Sequence, residues 1–330
     1  MTDRAVRVEV FGRTDVGQAR EHNEDSFIVA DLTTRNASLQ PEVREHDVGR
    51  RGSLFMVADG MGGAAAGEVA SEMATTTVYN HMVTQWGNDQ EVTEQRFAYR
   101  LKEAVEMANQ QIHEYAKAHL EVRGMGTTTT AAGVFERALY LTQIGDSRGY
   151  LIRQNRIAQI TKDQSLMQRL VDAGELTEEE AAVSERRNII LQALGPDPHV
   201  KVDLTRQELR RGDMLVMCSD GLSGLVKKEE MLGIVTQATD LVGACKDLIA
   251  LANARGGPDN ITCIVARFGG ALPEPDGSEP LGHQVYPLLD TESTTEPVPV
   301  YKPEDAAGRK TEPSTTKTTE PGDKKKWWRF

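Results

Sequence analysis

Between residues 127 and 161 the chain carries strand-length apolar runs at 127–135, 138–144, 149–153 and 157–161, separated by turns as short as Glu136-Arg137 and Gln154-Asn155. A parallel connection needs a crossover of about a dozen residues, so runs this close are antiparallel hairpins. Further strands are predicted at 7–11, 27–30, 54–58, 214–218 and 261–268, of which LFMVA at 54–58 is apolar throughout, as in a strand covered on both faces. Helices are predicted in pairs, at 68–86 and 94–119 and again at 228–236 and 241–254. The second of them repeats Phe97, Leu101, Val105, Ala108 and Ile112 at helical spacing. Strands in runs and helices in pairs predict an α+β fold, a four-layer α-β-β-α sandwich with two antiparallel sheets face to face, flanked by helix pairs.

The organisation divides at Phe268. Residues 1–268 read as one domain, whereas 269–330 are rich in Pro, Thr, Glu and Ser, and cannot bury enough apolar surface to offset the entropy of ordering. The tail ends in KKKWWRF, which is a solvated end on its plainest reading and otherwise suits docking to a partner or an anionic membrane surface. Across the 330 residues, 50 Asp and Glu against 38 Lys and Arg give a formal net charge of -12, which excludes a surface built to track a nucleic-acid backbone. Cys218, Cys245 and Cys263 lack zinc-ligand spacing and read as buried thiols of a reducing compartment. No apolar leader or run of about 20 apolar residues is present, so a cytoplasmic protein is expected.

Acidic residues recur where apolar strands end. Asp59-Gly60 closes LFMVA, Asp146 follows LYLTQIG, Asp220-Gly221 follows MLVMCS, and Asp259-Asn260 precedes ITCIVARF. Any one of these is an ordinary turn aspartate. Together, at the ends of strands that share sheets, they form a cluster that would repel itself unless protonated or neutralised by hard divalent cations such as Mg2+ or Mn2+. Zinc is disfavoured by the lack of paired His and Cys ligands. Upstream, Asp15, Gly17, Arg20 and Asn23-Glu24-Asp25 form a polar loop in which Arg20 could present its planar fork to a tetrahedral oxyanion. Among so many carboxylates, a salt bridge is the plainer role for that arginine.

RxxNED with a preceding DxG, then DGMGG, GTT, GDSR, SDGL and PDNIT, in this order, resemble the bacterial branch of the 2C-type metal-dependent Ser/Thr protein phosphatases, over roughly residues 6–268. The resemblance implies that Asp59 bridges two Mn2+ or Mg2+ ions, that Gly60 offers its carbonyl to one, and that Asp220 and Asp259 complete the other. It implies that Glu24 binds directly or through water, with Asp25 holding metal-bound water, and that Asp146 serves a third, weaker ion. Asn188 stands near the position of a flap residue beside that ion, and Arg20 would clamp the substrate phosphate. The implied reaction is attack of an activated water on phosphoserine or phosphothreonine in proteins, opposing bacterial Ser/Thr kinases.

The chain departs from many eukaryotic relatives at Met61, where they carry a histidine suited to protonating the leaving group. Metal-bound water or His22 are the alternatives. Residues 163–194 match the family's mobile flap in position, although a plain surface insertion has the same polarity. Gly60-Met61-Gly62-Gly63-Ala64-Ala65 mimics a dinucleotide-binding fingerprint, but Asp59 would set a carboxylate against the pyrophosphate. A catalytically silent binding or scaffold relative would have lost Asp59, Asp220, Asp259 or Arg20, and all four are present. A calcium-binding acidic protein would leave Arg20 without a role.

Overall fold

The computed structural model describes residues 5–38, 42 and 44–288. Strands β1 (Val6–Asp15), β2 (Asp25–Asp31), β3 (Asn36–Ser38), β4 (Arg44–Asp47) and β5 (Ser53–Met61) come first, followed by helices α1 (Ala64–Thr84) and α2 (Glu94–Ala118). Next come β6 (Gly126–Thr127), β7 (Thr129–Phe135), β8 (Ala138–Ile144), β9 (Arg148–Arg153) and β10 (Arg156–Gln159), then the short helices α3 (Leu166–Asp172) and α4 (Glu178–Ala182). The body closes with β11 (Asp203–Glu208), β12 (Met214–Cys218), α5 (Asp220–Ser223), α6 (Lys228–Gln237), α7 (Leu241–Ala254) and β13 (Ile261–Gly270).

One sheet runs in the order β10-β9-β12-β13-β1-β4 and the other β11-β8-β7-β5-β2-β3, with β6 added to β5. The ladders among the described residues are antiparallel. The tight turns behind this topology hold Glu136 at φ 53° and Gln154 at φ 55°, backbone that suits two-residue hairpin loops and the twist of their strands.

Side chains alternating from both sheets make the central core, with Val8, Val10, Leu215 and Ile264 from one facing Phe27, Phe55, Val57 and Leu141 from the other. The outer face of the second sheet buries Met56, Tyr140 and Leu54 under α1 and α2. The outer face of the first buries Val216, Ile152 and Val265 under α6 and α7. Helices on both outer faces of two stacked sheets are the expected four layers. In α2 the predicted stripe Phe97, Leu101, Val105, Ala108 and Ile112 is fully buried, and Thr93 starts the helix by accepting from Arg96 N. Each such aliphatic side chain contributes roughly 1.5–3 kcal/mol on burial.

The run predicted as one strand over 127–135 breaks at Thr128, whose side chain turns to the backbone of Asp59. Strands β3, β4 and β11 are too polar to read as strands from sequence. The boundary expected at Phe268 also shifts. Beyond β13 the chain continues along the edge of β11, where Thr205 and Val285 form an antiparallel bridge, Arg206 N donates to Gln284 O (3.0 Å) and Tyr286 N to Leu204 O (2.8 Å). Tyr286 meets Tyr140 edge-on at 5.4 Å, and Glu279 pairs with Arg210 at 2.9 Å. Backbone pairing on an open edge orders this segment together with a few anchoring side chains, Leu272 in the central core, Leu281 against it, and Tyr286 and Leu288 against the α1–α2 layer. The expected disorder of the rest of the tail and the KKKWWRF end lie outside the described residues.

Candidate metal and phosphate site

The register of the sheets delivers the acidic residues to one end of the molecule. Asp25 opens β2 directly opposite Asp59 near the end of β5. Beside them β12 and β13 pair up to Cys218 and Cys263, so that the chain runs out into Asp220 and in from Asp259 at the same edge. Asp146 lies in the turn between β8 and β9. The threonine run serves Asp59 rather than any nucleophile: Asp59 N donates to Thr128 Oγ1 (3.1 Å), while Asp59 O accepts from Thr128 N (2.8 Å) and Thr127 Oγ1 (2.9 Å). Glycine is required next to it, because a Cβ on Gly60 would run into the carbonyls of Gly67 and Glu24.

The N-terminal loop is drawn to the same place. Arg20 Nη2 donates to Asp259 Oδ2 (2.9 Å) and Nη1 lies 4.0 Å from Glu24 Oε1, while its side chain stays 46% exposed. An arginine fork this open to solvent can turn to an incoming phosphate. Buried Asn260 ties the loop down. Its Nδ2 donates to Val16 O (2.9 Å) and His22 O (2.8 Å), its Oδ1 accepts from Glu24 N (2.8 Å), and its own N–H donates to Asp259 Oδ1 (2.9 Å).

The cluster is electrostatically frustrated. Asp25 Oδ2 accepts from Ser219 Oγ (2.8 Å) and Thr262 Oγ1 (2.6 Å), but its Oδ1 is buried with no hydrogen-bond partner. Burial, reinforced by the charges of Asp220 and Asp259 against those two hydrogen bonds, pushes the Asp25 carboxyl up to about 7. Asp146, whose Oδ1 is likewise buried and unpartnered, is pushed up to about 7 by burial and by the charges of Asp220 and Asp163. Burial and the charges of Asp25, Asp220, Asp146 and Asp259 drive Asp59 well above the usual carboxylate range. Asp220 is raised by burial and by Asp259. Glu24 is raised by burial, with Arg20 working against the shift.

Among the described residues no three His, Cys, Asp or Glu side chains already share ready coordination geometry. Asp59 and Asp220 lie within hydrogen-bonding reach of each other, and each carboxylate of the cluster feels the others' charge. The donor chemistry fits hard cations: all-oxygen ligands, two orphaned buried oxygens and repulsion that positive charge would relieve.

Of the residues predicted from sequence, Arg20, Glu24, Asp25, Asp59, Gly60, Asp146, Asp220 and Asp259 are brought together. Asn188 sits exposed beyond α4. His22 is exposed, near enough for its charge to reach Glu24. Sequence reasoning missed Asn260, Ser219 and Thr262. The signal available for Thr262 was a polar residue in an otherwise apolar strand.

A four-layer body with aspartates gathered about one open arginine at the rim of its sheets defines a class, that of hydrolases handling a phosphoryl group with hard cations. The family profile described as Protein phosphatase 2C matches residues 34–254. The serine/threonine phosphatase stp of Listeria welshimeri is 37% identical over 254 residues, 77% of this chain and 93% of that protein. The crystal structure of the Mycobacterium tuberculosis serine/threonine phosphatase PstP/Ppp superposes with a TM-score of 0.67 at 36% identity, covering 80% of this chain and 99% of that one. The catalytic domain of PstP in complex with 2 manganese ions superposes with a TM-score of 0.65 at 36% identity, over 80% of this chain and 99% of that one. This chain belongs to the protein phosphatase 2C family.

Proposed function

We propose that the chain hydrolyses phosphoserine and phosphothreonine in proteins, and that two Mn2+ or Mg2+ ions are held chiefly by Asp59, Asp220 and Asp259. The observation that carries this reading is the pairing of orphaned, mutually repelling carboxylates with a solvent-open arginine in one cluster. The relatives' names and the manganese complex of PstP support it.

Asp59, Asp220, Asp259 and the Gly60 carbonyl would hold these ions. Glu24 would bind directly or through water, and Asp146 would provide for a third, weaker ion. When bound, the cations supply a water nucleophile active at neutral pH and offset charge on the phosphoryl group. Arg20 releases Asp259 and takes the substrate phosphate in its fork, which fixes the phosphorus atom in line for attack. Asp25, held at Oδ2 by Ser219 and Thr262, keeps Oδ1 turned to the cluster to orient water. Met61 can donate no proton, so the leaving oxygen takes one from water or from His22.

Ser/Thr protein kinases are the opposing partners on this reading, and three free, buried thiols support a reducing, cytoplasmic setting. Among the described residues no helix is long and apolar enough to cross a membrane. The catalytic unit extends from β1 through the β11-edge segment, and the tail beyond it is a candidate docking arm.

Hydrolysis of a phosphothreonine peptide is the test. Activity is expected with Mn2+, none after chelation, and a loss on the order of 10²–10³-fold or more in Asp59→Asn. Activity that survives chelation, or none with Mn2+, overturns the reading.

A further inference from the structure

The turn that carries Asp146 is fastened to the base of the 163–194 segment, and the fastener is Gln164. Gln164 N donates to Gly145 O (2.8 Å), and Gly145 N donates back to Gln164 Oε1 (3.0 Å). Its Nε2 donates to Gln143 O (3.2 Å). On its other side Leu191 N donates to Gln164 O (2.8 Å), and Gln192 Nε2 donates to Gln164 Oε1 (2.9 Å). One half-buried residue joins the turn before Asp146 to the stretch by which the segment returns to the body.

The surrounding bonds leave little slack. Arg148 closes its guanidinium on Asp163 at 2.7–3.1 Å, Ser165 bridges Ile190, and Leu166 N donates to Ile189 O (2.9 Å). Gly145 sits at φ 92°, and a Cβ there would meet Thr128 at 2.7 Å, so the turn lies close against the residue that bonds the backbone of Asp59. Between these anchors lie α3, α4 and an exposed stretch carrying Val183, Arg186 and Arg187. A displacement of that flap that reaches its base must either break the bonds to Gln164 or carry Gly145, and Asp146 with it.

We propose that Gln164 is a positioning residue that locks the flap, residues 166–189, in register with Asp146, so that a phosphoprotein settling on the flap and the setting of Asp146 for its cation are one event. The inference rests on the phosphatase reading for the cation at Asp146.

Trypsin cleavage after Arg186 and Arg187 in the native full chain reports flap opening, with and without Mn2+. In the wild type, Mn2+ slows cleavage several-fold. In Gln164→Ala, cleavage without Mn2+ rises about tenfold, as expected from one or two lost hydrogen bonds, and its response to Mn2+ disappears, while calorimetry still detects Mn2+ binding. Wild-type cleavage and a full Mn2+ response in Gln164→Ala overturn the inference. If Gln164→Ala does not fold, Gln164→Glu decides. It retains the acceptor for Gly145 N but loses the donor to Gln143 O, and its Mn2+ response must fall; an unchanged response overturns the inference. A wild type that hydrolyses phosphopeptide with Mn2+ yet shows no Mn2+ protection of the flap sinks the coupling and leaves the phosphatase reading standing. A wild type that neither binds Mn2+ nor hydrolyses phosphopeptide sinks that reading instead.

Discussion

At the scale of single residues, Asn260 shows how one amide sets a constellation of charges. It donates to Val16 and His22, accepts from Glu24 N–H, and its own N–H holds Asp259. The loop that presents Arg20 is thereby placed by the side chain of Asn260, and Asp259 by its backbone N–H. Removing that side chain leaves several backbone groups without partners, at roughly 1 kcal/mol or more each. Asn260→Ala is expected to raise KM for a phosphopeptide more than it lowers kcat, because Arg20's loop is released while the strand-held Asp59 stays in place. Asn260→Asp should not rescue, since it loses both Nδ2 donors and adds another negative charge. Steady-state kinetics on both variants check this; a kcat loss at unchanged KM would contradict the assigned role. Nothing in the letters PDNIT reveals such a hub, since its partners lie far away at residues 16–24.

At the scale of elements, the α1–α2 pair is held by ions as well as by its apolar face. His81 on α1 lies 2.8 Å from Glu103 on α2, Arg100 lies 2.5 Å from Glu103, and Arg96 and Arg100 both fork Asp89. Burial alone would raise the Glu103 carboxyl, but hydrogen bonds from His81 and Arg100 win and bring it down to about 2. A depressed carboxylate stabilises the fold above its unfolded value near 4.5, and that contribution drains away as pH falls toward 2. Urea midpoints of wild type and Glu103→Gln are expected to differ most at pH 7 and to converge only as pH approaches 2; a gap that does not narrow would show that the charge of Glu103 is not what stabilises the pair. The apolar stripe of α2 was legible because burial writes itself at helical spacing. β11 and the 271–288 edge segment were not, because backbone pairing and a few scattered anchors such as Leu272 and Tyr286 order them without a periodic apolar pattern. The break at Thr128 was hidden for a related reason, since a β-branched run reads as strand whether its hydroxyls face a neighbour or the backbone of Asp59.

For the whole molecule, the sequence carried the acidic residues and their order, but their meeting at one end is a product of register. The β2–β5 ladder sets Asp25 against Asp59, and the β12–β13 ladder brings Asp220 and Asp259 to the same rim. Four layers of well-buried core hold those strand ends in place against their mutual repulsion, so the site stores instability that a cation would relieve. This has a measurable sign. Saturating Mn2+ at about a hundred times its dissociation constant should stabilise the wild type by roughly 2.7 kcal/mol, or about 4–5 °C in thermal midpoint for a body of this size. Asp59→Asn removes one of the repelling charges and should melt higher than the wild type in chelator. It should also lose most of the Mn2+ increment, so that the order of the two proteins reverses when the ion is added. Differential scanning calorimetry in chelator and in Mn2+ measures both effects, and a variant that melts lower than the wild type in chelator would show that the carboxylates are not in conflict.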